Sequence, residues 1–426
     1  MHMKDFPGTF QIKDPIHGYV SLTELEKSLI DLRICQRLRE IKSPAGAHMV
    51  FPGLYNSSMG RMIGFLHVTE IFMDYLGGNL DEILKARLVA FFLSLATGPW
   101  SNVFGEYLAT RGIDRVRLAQ LIARSEQVSE ILASSNFSKD EIVVALKRGI
   151  QLKGVRFTLH DVAINPELID RLERDSYFAG VEYAQMEFRR LFTSTRIAKN
   201  KIAVERGSLF TLESYLSAGL NMFEAVYYHK TTRAADLMLL RILDLAGSQL
   251  MTSPTENIDE FKNFDDLSFM DALLNVTPDS TEEMRAAGKI FSDYTKRQLI
   301  KLVGERAISD EAFLKKIATP DGLYKVEEEI AETAGIEPGS VYVDYPNRLS
   351  VCYYPGKIPL EDLVLFERGS GGYEFWPVRD VSLIARSIDR QLKLIRVYTT
   401  RGYRPKAKKA AEALLESIDV PGSAGQ

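Results

Sequence analysis

Residues 81–101 read DEILKARLVAFFLSLATGPWS, and the fold is decided here. The run Leu88 to Ala96 is nine residues long and broken by Ser94. A bilayer crossing needs about 20 apolar residues, so this run reads as a buried helix. The same texture extends both ways. Between 22 and 42, Leu22, Leu25, Leu29, Ile30, Ile34, Leu38 and Ile41 recur at three-and-four spacing with charges between them, which predicts an amphipathic helix pair. Arg61 to Tyr75, Asp81 to Leu95, Arg115 to Leu132, Lys139 to Ile150 and Pro166 to Phe192 read as helices of 12 or more residues, separated by Gly, Pro, Asn or Ser. Leu209 to Ala246 and Phe269 to Asn275 extend the theme into one large helical domain.

After residue 335 the texture changes. Ser340 to Asp344, Leu349 to Tyr354, Leu363 to Glu367 and Tyr373 to Val378 are short, rich in Val, Tyr and Phe, and read as strands. Arg368-Gly369-Ser370-Gly371-Gly372 lies between two of them and reads as a hairpin turn, not a phosphate loop. A helix from Val381 to Leu394, a strand Leu394 to Tyr398, a last helix Pro405 to Ile418 and a loose tail Val420 to Gln426 follow. The expected fold is mainly α, a large helical core with a smaller C-terminal α+β lobe. Its divisions are 1–275 helical domain, 276–335 helical connector, 336–419 lobe and 420–426 tail.

Composition bounds the function. The 426 residues are 46% hydrophobic, 26% charged and 10% aromatic, which excludes a disordered chain and suits two or three domains around a large core. Lys and Arg total 53 against 57 Asp and Glu, too near balance for a wholesale nucleic-acid or membrane binder, so any anion site is local. The two cysteines, Cys35 and Cys352, lie far apart in apolar sequence and exclude a disulfide framework or a Cys-rich zinc module. A reducing cytoplasm is expected. Met1 to Gly8 lacks a signal-peptide profile, and no secretion is expected.

Several ordered motifs carry a resemblance. Lys13-Asp14-Pro15-Ile16-His17-Gly18-Tyr19-Val20, Gln36-Arg37-Leu38-Arg39-Glu40-Ile41-Lys42, Val50-Phe51-Pro52-Gly53, Gly98-Pro99-Trp100-Ser101, Arg174 to Val181, Tyr227-Tyr228-His229-Lys230, Pro346-Asn347-Arg348 and Leu394 to Tyr398 span nearly the whole chain. In this order they resemble the HD-domain deoxynucleoside triphosphate triphosphohydrolases, dGTPase-like proteins, and look closest to the branch containing the sterile-alpha-motif-and-HD-domain dNTPases. The resemblance implies that the helical core is an HD domain.

That family holds a divalent metal with a His, a His-Asp dipeptide and a later Asp, because phosphate hydrolysis needs a cation to neutralise oxygens and activate water. By the resemblance, those positions fall here on Arg61, on Leu93 and Ser94, and on Glu167. Thr97 and Asn102 replace family histidines, and Ser58 replaces a phosphate-contacting Arg. Glu167 alone does not make the three- or four-ligand set of a transition metal. No metal and no cofactor are expected, and the degenerate pocket comprises Arg61, Leu93, Ser94, Thr97, Asn102, Glu167, Asp170 and Asp175. An Arg61–Glu167 ion pair is predicted in the vacated cavity. His160-Asp161 reads as a loop or helix-entry feature and His17 as a turn-ordering residue, while His48 and His67 have no assigned role.

The resemblance also implies a nucleotide effector site. Asp31, Gln36 and Arg39 match family residues for guanine recognition between subunits, and His229, Lys230 and Arg348 match positions near that interface. Phe10 stands where a phosphate-binding Lys belongs. Two basic segments, Arg189 to Arg206 and Arg396 to Lys409, are candidates for phosphate or single-stranded nucleic-acid contact. The leading expectation is a catalytically degenerate, homo-oligomeric regulatory or scaffold protein, dimer or tetramer, with a nucleotide or a protein as partner. Two alternatives stay open: a metal-dependent (d)NTP phosphohydrolase using Glu167, Asp170 and Asp175 with weakly held Mg²⁺, and a nucleic-acid-binding module.

Overall fold

Two helices, Ser58–Tyr75 and Leu80–Leu95, pack along each other at the centre of the molecule. Both are apolar nearly all round, and fourteen of the 18 residues of the first are buried, as a helix enclosed by others requires. Ser57 accepts the Gly60 N–H at the start of the first, and Asn79 forms a capping box with Glu82 at the start of the second. The computed structural model describes residues 10–307, 310–353, 355–388 and 394–418.

The helix Pro166–Ala179 packs against Ser58–Tyr75 and carries the acidic positions of interest. Asn165 caps it, and Pro166 occupies its first turn, where a missing N–H costs nothing. It stops at Gly180, whose φ of 69° is a left-handed end that a glycine adopts without penalty. The single helix expected over 166–192 is therefore two, the second being Phe188–Thr193. The expected helix 115–132 is likewise broken at Arg124 and Ser125, between Arg115–Ala123 and Glu126–Ala133. The stretch 209–246 divides into Leu209–Met222, a π-helical turn Phe223–Tyr227, and Lys230–Leu250. The pair expected over 22–42 begins with Glu24–Ile30 and Arg33–Gln36, after an antiparallel hairpin of Phe10–Asp14 and Gly18–Leu22.

The strands after residue 335 divide between two sheets. Leu363–Gly369 and Gly372–Pro377 pair as a hairpin through Gly369 and Gly372, as the turn residues predict, and the first lies parallel to Lys201–Glu205 of the helical body. Val341–Asp344 pairs instead with Leu394–Thr399, which also pairs with Lys301–Ala307. This second sheet and the helices Pro320–Ala334 and Arg404–Ser417 enclose a separate core of Val303, Val326, Ile330, Val341, Val397 and Ala411. The connector residues after 300 thus build part of the small lobe.

Leu349 to Tyr353 forms no strand. Its polar backbone is taken by side chains: the Ser350 N–H donates to Glu106, and the Ser350 carbonyl accepts from Arg233 and Asn102. A ladder would need those same groups. The helix expected over 381–394 is Val378–Val381 followed by Leu383–Ile388; the rest of that span through 393, and the tail 420–426, lie outside the described residues.

Candidate functional site

Six of the eight positions assigned to the pocket line one cavity of about 460 Å³: Arg61, Ser94, Thr97, Asn102, Glu167 and Asp170. Helix geometry explains the convergence. Arg61 lies in the first turn of the first central helix, Ser94 in the last turn of the second with Thr97 just beyond it, and Asn102 follows a turn in which Trp100 and Ser101 adopt positive φ. The buried Asp266 secures that turn by accepting the Trp100 N–H at 2.7 Å. Leu93 lies fully buried outside the cavity, and the Ser94 hydroxyl donates to the Ala90 carbonyl of its own helix.

The expected ion pair between Arg61 and Glu167 does not form. Arg61 instead binds Asp175 at 2.5 Å and donates twice to the Ser43 carbonyl. Asp175 is fully buried and also accepts from Asn56 at 3.1 Å and from the Tyr227 hydroxyl at 2.9 Å. Glu167 is already matched: Arg115, anchored by the Leu93 carbonyl, reaches it at 2.7 Å, and Arg171 one turn along the helix lies at 3.5 Å. Burial pushes the Glu167 carboxyl up, but Arg115 and then Arg171 outweigh it and hold the group at about 2.

Asp170 belongs to a third network. Arg174 bridges it to Asp14 at 2.7 and 2.9 Å, and His17 adds a contact at 2.8 Å. Burial opposes ionisation, and Arg174 with His17 overrides it, leaving Asp170 at about 2. His17 therefore does more than order its turn, although Asp14 also accepts the backbone N–H groups of Ile16 and His17. His160 and Asp161 line the cavity and contact each other at 3.1 Å.

A divalent cation does not fit these residues. The one carboxylate at the implied ligand positions is held by two guanidiniums, Arg61 brings a positive charge, and Leu93 has no donor atom. Among the described residues, no three His, Cys, Asp or Glu side chains are grouped to hold a metal ion.

The six effector candidates are dispersed. Gln36 donates to the Ile30 carbonyl, Arg39 donates to Gln36, and Asp31 ends the Glu24–Ile30 helix. Arg39 lines a separate cavity, of about 330 Å³, beside Lys13 and Asn56. Arg348 is spent inside the protein on Glu106 and the Val343 carbonyl, whereas His229 caps the Lys230–Leu250 helix and Lys230 is exposed. The basic segments are partly consumed as well. Lys199 and Arg206 lie over Phe375 and Trp376 of the hairpin, and Arg396 packs on Tyr228 while pairing with Glu305.

Arg115, Arg171 and Asn56 complete the networks without having been assigned a role by sequence, and Tyr227 was read only as part of a motif. Arg171 had a signal in its four-residue offset from Glu167. Arg115, 52 residues from Glu167, had none.

Fold and cavity define a mainly α protein whose central cavity is walled by arginine–carboxylate pairs. A family model described as "HD associated region" matches residues 186–421, more than half of the chain, and the chain belongs to that family. It is 26% identical over 251 residues to an uncharacterized protein of Bacillus subtilis, covering 55% of each chain. It is 23% identical over 324 residues to the deoxynucleoside triphosphate triphosphohydrolase SAMHD1 homolog of Dictyostelium discoideum, covering 70% of this chain and 61% of that one. Human SAMHD1, also named a deoxynucleoside triphosphate triphosphohydrolase, is 21% identical over 361 residues, with 72% and 56% covered. These alignments span little more than half the length of the curated relatives. A crystal structure of a hypothetical protein from Aquifex aeolicus superposes with a TM-score of 0.71 at 22% identity, covering 94% of this chain and 99% of that one, and shows the fold. With these relatives, the resemblance read from the motifs stands: this is an HD-domain, dNTPase-like chain. Among the described residues, no helix is long and apolar enough to cross a membrane.

Proposed function

We propose that this chain is a catalytically silent HD-domain protein, an oligomeric regulator or scaffold of the cytoplasm that binds a nucleotide or protein partner without turning it over. One observation carries the reading. The groups that would have to hold and balance a metal are already paired with arginine, Glu167 with Arg115 and Asp175 with Arg61. Opening either pair to admit a cation would leave a guanidinium beside it, in a site where charge is poorly screened.

The test is turnover of mixed dNTPs by purified protein supplied with Mg²⁺ or Mn²⁺, with and without GTP or dGTP, following nucleoside and triphosphate release. No release above that of Glu167→Ala is expected. Release that disappears in Glu167→Ala would overturn the reading and establish an unconventional metal site. Light scattering after size exclusion, with and without GTP, tests assembly and its dependence on nucleotide; a monomer under both conditions would remove the scaffold.

A further inference from the structure

We infer that the pocket around Glu167 binds a small oxyanion, inorganic phosphate or a phosphate monoester, directly on arginine and without a metal ion. This rests on the metal-free reading above and extends it to the ligand. A second cavity of about 240 Å³ adjoins the first, and the two share Arg115, His160, Glu167, Arg171 and Cys352 in their walls. Together they have room for several waters, each needing about 30 Å³, or for one compact ligand.

The interior pairing favours an anion. Arg61 is neutralised from behind the wall by Asp175, and Asp170 by Arg174 with His17. Asp114 and Asp161 are exposed carboxylates that water screens; the first caps the Arg115–Ala123 helix and the second contacts His160 and Thr158. Between these, two guanidiniums, Arg115 and Arg171, face the single carboxylate of Glu167. Lys357 adds a third cation at the exposed edge of the second cavity.

The donors are also incompletely used. A guanidinium offers five N–H groups in a planar fork that fits two oxygens of a phosphate. Arg171 spends Nη2 on a long 3.5 Å contact with Glu167, and its buried Nη1 has no acceptor among the described residues. The buried Nδ1 of His160 is also without a partner among the described residues. Leaving a charged donor unpaired in the interior is costly, and a phosphate oxygen drawn in beside Arg171 removes that cost. Glu167 then acts as an internal competitor, occupying Arg115 and Arg171 until an external oxyanion replaces it.

Calorimetric titration of the full chain in EDTA, with inorganic phosphate and separately with ribose 5-phosphate, tests this. Saturable binding is expected, weakened about tenfold in Arg171→Gln, the loss of one charge-assisted hydrogen bond. Glu167→Gln is expected to bind about tenfold more tightly, because the competitor loses its charge, and a poorly folded protein cannot produce that gain. Tighter binding of the ester, or of phosphate alone, upholds the site and identifies its source. No saturable binding in EDTA, or affinities unchanged in both variants, overturns the oxyanion site and leaves the metal-free reading standing. Binding that requires added Mg²⁺ overturns both.

Discussion

The Arg61–Asp175 pair makes the most exposed claim about the rewired site, and a double-mutant cycle measures it. Arg61→Met removes a guanidinium, 11% exposed, from a carboxylate with no exposure at all. Deleting one partner of a buried pair costs about 3–5 kcal/mol, because the survivor keeps its desolvation penalty without compensation. Asp175 retains the Tyr227 hydroxyl and the Asn56 amide, at 2.9 and 3.1 Å, so the expected loss lies at the low end, about 3 kcal/mol. Asp175→Asn leaves Arg61 with the Ser43 carbonyl and some access to water, and should cost about 2 kcal/mol. The double variant loses no paired charge twice, so it should be less destabilised than the sum, with a coupling of about 2 kcal/mol. Urea unfolding followed by tryptophan fluorescence in a Trp376→Phe background, which isolates Trp100 buried in the helical core, reports the relevant transition. Additive losses, with a coupling below about 0.5 kcal/mol, would show that the pair carries no interaction and that Asp175 is held by Tyr227 and Asn56 alone.

Two further outcomes follow from the same pair of packed helices. A Cβ at Gly64 would overlap Asp170 Oδ1 and Arg174 Nη2, so Gly64→Ala should force the buried pair apart and destabilise by about 3 kcal/mol, visible as a lower unfolding midpoint; an unchanged midpoint would mean that the two helices separate freely. Glu173 is pushed up to about 8, first by burial and then by the neighbouring Asp170 charge. Its folded value thus exceeds its ordinary value of 4.5, and stability should fall as pH rises from there through 8. Melting temperatures of wild type and Glu173→Gln between pH 5 and 9 check this: the variant should gain on wild type as pH rises, and parallel curves would refute it.

Helix positions were legible wherever apolar spacing dictates them, as in the two central helices. Their boundaries were less so. Gly180 ends a helix in a sequence whose periodicity carries on through Phe192, and Leu349 to Tyr353 has strand composition but surrenders its backbone to Glu106, Asn102 and Arg233. Those partners lie more than 100 residues away in sequence, so no local pattern announces them. The strand Lys301–Ala307 was missed for a related reason: it is defined by pairing with Leu394–Thr399, late in the chain.

The cavity gives the sharper lesson about charge. Motif order brought Arg61, Ser94 and Glu167 to one pocket, yet it could not say which cation each carboxylate would take. Glu167, Asp170, Arg171, Arg174 and Asp175 share one helix, where a rise of about 1.5 Å per residue puts Glu167 and Asp175 roughly 12 Å apart. Arg61 reaches only one end of that row. It takes Asp175, which is wholly buried and has no other guanidinium within ion-pair distance among the described residues. Glu167, nearer the helix start, is left to Arg115, which arrives from a separate helix with its Nε already fixed on the Leu93 carbonyl. In this pocket Arg61 thus pairs with the least compensated carboxylate within its reach, and not with Glu167. Arg171, on the same helix as Glu167, is left only partly engaged: its Nη2 makes a 3.5 Å contact with Glu167, and its buried Nη1 has no acceptor among the described residues.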